Sequence, residues 1–280
     1  MDWGQALSLG VVQGLTEFLP ISSSAHVSLA GRFFGKDPGA AFTAITQLGT
    51  EAAVLLYFRK DIGRIAKRWC KAVTGKIPHS DPDARMGWLV IVGSIPIGAL
   101  GIVLSDLIKG PFRSLWVTAT MLIVFSAVIW FADRNARQTK DLTNLTISDG
   151  LRYGLWQACA LIPGVSRSGG TISGGLLMGY SREAATRYSF LLAVPAVLAS
   201  GFQQLFDISS DPAPPAWGPI MGATTVSFFI GYAVIAWLLR YVSTHNFTPF
   251  VIYRIALAIG LIIALSTGTI PAIDPGTSQS

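Results

Sequence analysis

Glutamate occurs three times in this chain of 280 residues, as Glu17, Glu51 and Glu183, and the first two fall within apolar stretches. An ionisable side chain in such surroundings is a functional candidate by default. Gln13 and Glu17 are four residues apart, so on a helix they share one face and offer oxygens to a divalent cation. Ser22, Ser23, Ser24 and His26 follow within one short segment. They supply hydroxyl donors for phosphate oxygens and an imidazole that can shuttle a proton near neutral pH.

A second cluster, Pro163-Gly164-Val165-Ser166-Arg167-Ser168-Gly169-Gly170-Thr171, joins a guanidinium to three hydroxyls and to glycines that permit close backbone approach. The planar fork of arginine matches two phosphate oxygens. A helix starting at Gly169 or Gly170 would add free N–H groups and a positive dipole end. Taken together, the two clusters point to phosphate chemistry.

The elements that must position them are set by composition. The chain is 51% hydrophobic and 13% charged, far more apolar than a water-exposed domain needs. Crossing a bilayer as a helix takes about 20 largely apolar residues. Five charge-free runs qualify, Gly87–Leu104, Leu115–Ala132, Tyr188–Phe206, Trp217–Leu239 and Ile255–Ile273, and a sixth, Pro38–Phe58, is interrupted by Glu51. The expectation is an all-α integral membrane protein with six transmembrane helices. The opening Met-Asp-Trp lacks a basic region and runs straight into the polar motif, unlike a removable signal peptide. Cys70 and Cys159 form no paired or Cys/His spacing, which argues against a disulfide or a zinc site.

The formal net charge of +6 would suggest nucleic acid in a soluble protein. Here the positive charges cluster in the loop Arg59–Arg85 and at Arg134, Arg137, Lys140 and Arg152, which the positive-inside rule places in the cytoplasm. Asp207–Ala216 and the tail after Thr269 contain no Lys or Arg and belong outside, as do both termini.

Trp3–Gly31 and Leu151–Ser181 are each broken at a polar, Pro-containing point, Glu17 and Pro20 in one, Pro163 and Arg167 in the other. Each reads as two half-length helices, a re-entrant hairpin whose break survives only inside protein or beside a wet cavity. LPISSSAH and IPGVSRSGG share an apolar-Pro start and a serine cluster, each preceded by a glutamine, Gln13 or Gln157. Residues 1–132 and 150–273 therefore read as two copies of one plan, joined by a linker at 133–149 and inverted relative to one another within a single membrane domain. Their polar tips should meet near the midplane.

Other polar residues have plainer readings. Ser8, Gly10, Ser173, Gly174, Gly175 and Ser181 suit close helix packing. Glu51 reads as a hydrogen-bond link between helices, His79 as a solvated loop residue, and His245 and Arg254 as headgroup anchors.

At the two tips the sequence resembles the undecaprenyl-diphosphate phosphatase family, the bacitracin-resistance proteins. QGLTEFLPISSSAH at Gln13–His26 is similar to its Glu/Gln-x-x-x-Glu motif with the following Ser/His element, and PGVSRSGGT at Pro163–Thr171 to its Pro-Gly-x-Ser-Arg-Ser-x-x-Thr signature. The similarity extends through QLG at Gln47–Gly49, SGGLLMGYSR at Ser173–Arg182 and FLLAVP at Phe190–Pro195, nearly the whole chain. It implies a bacterial cytoplasmic-membrane enzyme opening to the outer face, which converts undecaprenyl diphosphate to the monophosphate with a magnesium or calcium ion and recycles the lipid carrier of cell-wall synthesis. It implies catalytic roles for Glu17, Ser23, His26 and Arg167, a cation contact for Glu17, and a substrate site lined by Gln13, Ser22, Ser166, Ser168 and Thr171. A homodimer is the family's habit. Gln13 stands where the family accepts Glu or Gln, and an amide cannot serve as a second carboxylate.

Two routes stay open at this level: Ser23 attacks phosphorus while Glu17 or His26 takes its proton, or Glu17 activates water directly. The lipid phosphatases related to acid phosphatases also use Ser-Arg elements, but their nucleophilic histidine follows within several residues, and here no histidine occurs between Arg167 and His245. A flippase using the same headgroup site is the alternative from another class, since inverted repeats with broken helices are a transporter architecture.

Overall fold

The computed structural model describes residues 1–35, 39–209 and 216–273 and is all-helical in those segments apart from one isolated bridge between Lys140 and Tyr180. The helices run α1 (Trp3–Thr16), α2 (Ser23–Phe33), α3 (Gly39–Tyr57), α4 (Arg59–Val73), α5 (Pro82–Val103), α6 (Ser105–Lys109), α7 (Leu115–Asn135), α8 (Ile147–Ala158), α9 (Arg167–Leu177), α10 (Arg182–Ser209), α11 (Trp217–Val242) and α12 (Thr248–Ser266).

Among the described residues five helices, α5, α7, α10, α11 and α12, are long and apolar enough to cross a membrane. They leave large apolar side chains such as Ile95, Ile102, Phe229, Ile252 and Ile263 exposed, a surface that lipid accepts and water does not. The chain is a multi-pass membrane protein. α3, with Glu51 inside it, is not among the five. By contrast α1, with 14 residues, reaches about 21 Å and α9, with 11, about 17 Å at 1.5 Å per residue, short of a hydrocarbon core about 30 Å thick.

Two expectations about the layout of the chain change. The last apolar helix lies at Thr248–Ser266 rather than Ile255–Ile273, because it runs straight through Arg254, whose charge is satisfied by partners inside the protein. Much of the basic loop Arg59–Arg85 is helix α4, begun directly after α3 and packed on α5. Most of the Lys/Arg-free segment Asp207–Ala216, and the start of the Pro38–Phe58 run, lie outside the described residues.

Helix starts follow local capping chemistry. Asp2 and Gln5 close a reciprocal capping box on α1, and Thr146 and Asp149 do the same on α8, each satisfying orphan N–H groups of the first turn. Asp81 caps α5, with Pro82 at the first helical position. Ser181 accepts from the Ala184 N–H at 3.1 Å, so it caps the start of α10 rather than packing helices together.

α1 packs mainly on α11, and α8 on α5. In both contacts glycine brings backbones together: a Cβ on Gly10 would lie 2.5 Å from the Ala223 carbonyl oxygen, and one on Gly154 2.3 Å from that of Gly93. The packing role expected for Gly10 holds, as it does for Gly174 and Gly175 against Trp156 and Tyr153. Further contacts of α3 with α10 and α11, and of α7 with α12, close the bundle around the two polar turns.

Candidate active site

Each tip is built by the same local logic. Proline lacks an N–H and disfavours continuation of a helix, and at the tips α1 gives way to a turn at Glu17–Ile21 containing Pro20, while α8 ends before Pro163. A serine with positive φ then starts the next helix, Ser22 at 74° before α2 and Ser166 at 73° before α9. Positive φ is uncommon outside glycine, and such backbone strain concentrates at functional sites. In each tip the serine hydroxyl meets that of the serine two residues on, Ser22 with Ser24 at 3.2 Å and Ser166 with Ser168 at 3.1 Å.

Glu17 is where the tips converge. Its Oε2 accepts from Gln13 Nε2 and from the Ser23 hydroxyl, both at 2.7 Å. Its Oε1 pairs with the guanidinium of Arg167 from the other tip. The pair is largely enclosed, with the Glu17 side chain 4% and the Arg167 side chain 17% exposed. A buried carboxylate is sustained only when paired and hydrogen-bonded, and here one α1 residue, one α2 hydroxyl and one α9 guanidinium do so. Ser166 caps α9 through the Gly169 N–H, whereas no side chain caps α2. The first-turn N–H groups of α2, beside Ser23, are free to receive an anion.

The tips are also fastened to one another. Ser168 donates to the Leu19 carbonyl at 3.0 Å, and Ser166 approaches the same oxygen at 3.5 Å. Beneath them lies Arg254, fully buried, donating to the Pro20 carbonyl at 3.1 Å in the first tip and to the Gly164 carbonyl at 2.8 Å in the second. It also reaches the Ser126 hydroxyl at 3.2 Å and the Met121 and Leu122 carbonyls at 3.4 Å. This corrects the headgroup-anchor reading. A guanidinium that makes five hydrogen bonds, four to carbonyl oxygens and one to a hydroxyl, can be held away from water, so Arg254 is an internal tie between the tips. The signal was present in sequence: one arginine in an otherwise apolar stretch, the criterion that singled out Glu17.

The remaining expected site residues divide. Gln13, Glu17, Ser23 and Arg167 form one hydrogen-bonded set. Ser22, Ser166 and Ser168 line the turns beside it. Thr171 is fully buried and commits its hydroxyl to the Arg167 carbonyl at 2.8 Å and to Ser189, so it braces Arg167 from behind. His26 stacks on Tyr253 and uses both ring nitrogens elsewhere, Nδ1 with the Ser22 carbonyl and Nε2 with the Tyr253 hydroxyl, each at 2.7 Å. Because a carbonyl only accepts, Nδ1 carries a proton in this arrangement. Glu51 is not the hydrogen-bond link expected between helices, for its Oε1 is buried without any partner.

Comparison with known proteins gives the family of the chain. Residues 6–260 match the family model described as bacitracin resistance protein BacA. The chain belongs to the BacA family. It is 62% identical to the undecaprenyl-diphosphatase of Micrococcus luteus, over 97% of this chain and 100% of that one. It is 61% identical to undecaprenyl-diphosphatase 2 of Streptomyces coelicolor, over 100% and 99% of the two chains. The undecaprenyl-diphosphatase of Kineococcus radiotolerans is 57% identical over 97% of this chain and 96% of its own. The BacA resemblance read from the two motifs therefore holds along nearly the full length, and the flippase alternative finds no support among these relatives.

Proposed function

We propose that this BacA-family chain hydrolyses undecaprenyl diphosphate to undecaprenyl phosphate and inorganic phosphate. The observation that carries the site assignment is the meeting of Glu17, Ser23 and Arg167, acid, hydroxyl and guanidinium, from two separate tips. Arg167 offsets charge on the terminal phosphate, with the free N–H groups of α2 opposite it. Ser23 is the nucleophile of choice because its hydroxyl already donates to Glu17: as the Oγ–phosphorus bond forms, Glu17 accepts the Ser23 proton and the bridging oxygen leaves with the lipid monophosphate. Water then hydrolyses the phosphoseryl group. His26, held by Tyr253, keeps the Ser22 carbonyl and hence the turn in place. Rapid-quench labelling with terminal-labelled substrate tests this route. A phosphorylated Ser23 supports it, and steady turnover without any labelled serine replaces it with direct attack by water on the same Glu17.

A divalent cation, magnesium or calcium, fits the donor set. Glu17 supplies a carboxylate and Gln13 a buried Oε1 that has no other partner, both hard oxygens of the kind these ions take. No group of three or more acidic, His or Cys side chains lies together among the described residues, so phosphate oxygens and water would complete the shell. When bound, the ion neutralises charge on the phosphates.

The membrane arrangement belongs to the same reading. α3 serves as a sixth span, and the α1–α2 and α8–α9 pairs are re-entrant hairpins within two inverted repeats, residues 1–132 and 150–273. The twin serine turns and the glycine-mediated packing of α1 on α11 and α8 on α5 support that plan. With the basic α4 in the cytoplasm, both termini lie outside the inner membrane and the site opens to the outer leaflet. The prenyl tail stays in lipid. Two copies pair in the membrane, a point that sizing in detergent tests.

A further inference from the structure

One buried acid lies beside the site with an unpartnered oxygen. Glu51, on α3, is 1% exposed, its Oε1 accepts no hydrogen bond, and no ion pair reaches it among the described residues. An ionised carboxylate taken out of water in this way is not sustained alone.

Packing against α11 brings its stretch of α3 into the same part of the bundle as Glu17. A Cβ on Gly14 would meet the Ser227 carbonyl at 3.0 Å, and one on Gly49 would meet the Ser227 hydroxyl at 2.4 Å, so α1 and α3 rest on the same residue. Higher on α11, Gly231 lies between Phe18 and Thr50, with a Cβ there 3.1 Å from the Phe18 ring and 3.2 Å from the Thr50 methyl. Phe18 and Thr50 are the chain neighbours of Glu17 and Glu51. The two acids therefore stand at one level of the bundle, and the charges that act on Glu51 are those of Arg167 and Glu17. Gln13 stands at the same level, fully buried, with its Nε2 given to Glu17 and its Oε1 unpartnered.

We infer that Glu51 is a second carboxylate ligand for the divalent cation, completing from α3 a set begun on α1 by Glu17 and Gln13 Oε1. The missing partner of Glu51 is then the cation itself. Gln13, an amide, contributes an oxygen without charge, and Glu51 contributes the charge from the neighbouring helix. This rests on the phosphatase reading for its purpose, while its evidence is the orphaned oxygens.

The test is calcium binding to the purified full-length protein, followed by calorimetry without substrate. Glu51→Gln, which keeps shape and removes charge, is expected to weaken calcium binding at least tenfold. Adding Gln13→Glu to that variant is expected to recover most of the loss, since it returns a carboxylate to the same level of the bundle. Calcium affinity for Glu51→Gln equal to wild type overturns the inference, as does a wild-type protein that binds no calcium. Thermal melting of the calcium-free proteins guards against misfolding: Glu51→Gln should melt no lower than wild type, because an amide of the same shape has no ionised form to bury. Should it not fold, Glu51→Asp takes its place, with weaker calcium binding expected and unchanged binding contradicting the idea. Phosphate release separates the two readings. A wild type that binds calcium through Glu51 yet cleaves nothing sinks the phosphatase reading alone, whereas an active enzyme whose Glu51→Gln form binds calcium normally sinks this inference alone.

Discussion

The two tips share a backbone and divide the chemistry between them. Both turn through a serine with φ near +74°, both start an 11-residue helix, and both pair that serine with the one two residues later. The residue between the serines differs: Ser23 in the first tip and Arg167 in the second. The first tip also has Glu17 ahead of the turn, where the second has apolar Leu161 and Ile162. One turn geometry, used twice, delivers an acid and a hydroxyl from one side and a fixed cation from the other. Neither tip alone holds a balanced charge, which is why their convergence is the site.

Breaking the pairing across the tips should have the largest effect. Arg167→Ala leaves Glu17 buried without its ion pair, and loss of one such stabilising group costs about 100-fold to 1,000-fold in phosphate release, with several kcal/mol of stability lost as well, about 3–5 where the remaining charge stays buried. Initial rates and a melting curve measure both. Ser23→Ala should remove the phosphoseryl intermediate and nearly all turnover while leaving the fold intact, seen as full-length protein with a normal melt and no labelled serine. Next comes the tie beneath the tips. Arg254→Met strips donors from the Pro20 and Gly164 carbonyls together, and at about 1–3 kcal/mol for each buried group left unsatisfied a clear drop in melting temperature is expected, with activity falling as both turns loosen. The smallest effects compare matching serines. Ser168→Ala loses the bond to Leu19 and should cost about 1 kcal/mol, whereas Ser24→Ala, on an exposed residue of the first tip, should stay within about 0.5 kcal/mol. Equal losses at Ser24 and Ser168 would show that the fastening runs symmetrically, against the geometry seen here.

Much of the first tip and the key residue of the second were legible because charge inside an apolar stretch is conspicuous. Glu17 and Arg167 stood out on that ground, and serine, proline and glycine marked the turns. The long apolar helices were equally plain, though their ends were not. Excluding Arg254 from the last span moved the expected helix seven residues along the chain, because hydropathy counts a guanidinium as a break and cannot see five carbonyl or hydroxyl oxygens waiting for it. His26 stood evenly in sequence between proton transfer and a satisfied interior histidine. Its type suits proton transfer, yet Tyr253, far along the chain, occupies the nitrogen that would do it. Glu51 was read as a link between helices because a buried acid normally finds a donor, and only coordinates reveal that its Oε1 has none. What sequence hides in this molecule is partnership across helices, since long-range pairing leaves no periodic trace along the chain.

The most direct test of shared action between the tips is a double-mutant cycle on phosphate release from undecaprenyl diphosphate, using Glu17→Gln, Arg167→Gln and the two combined. The account predicts that each single change lowers turnover at least about 100-fold and that the combination falls little further than the worse single, as for residues acting as one unit. Near-normal turnover in either single variant, or losses that multiply independently, would contradict a site built from both tips.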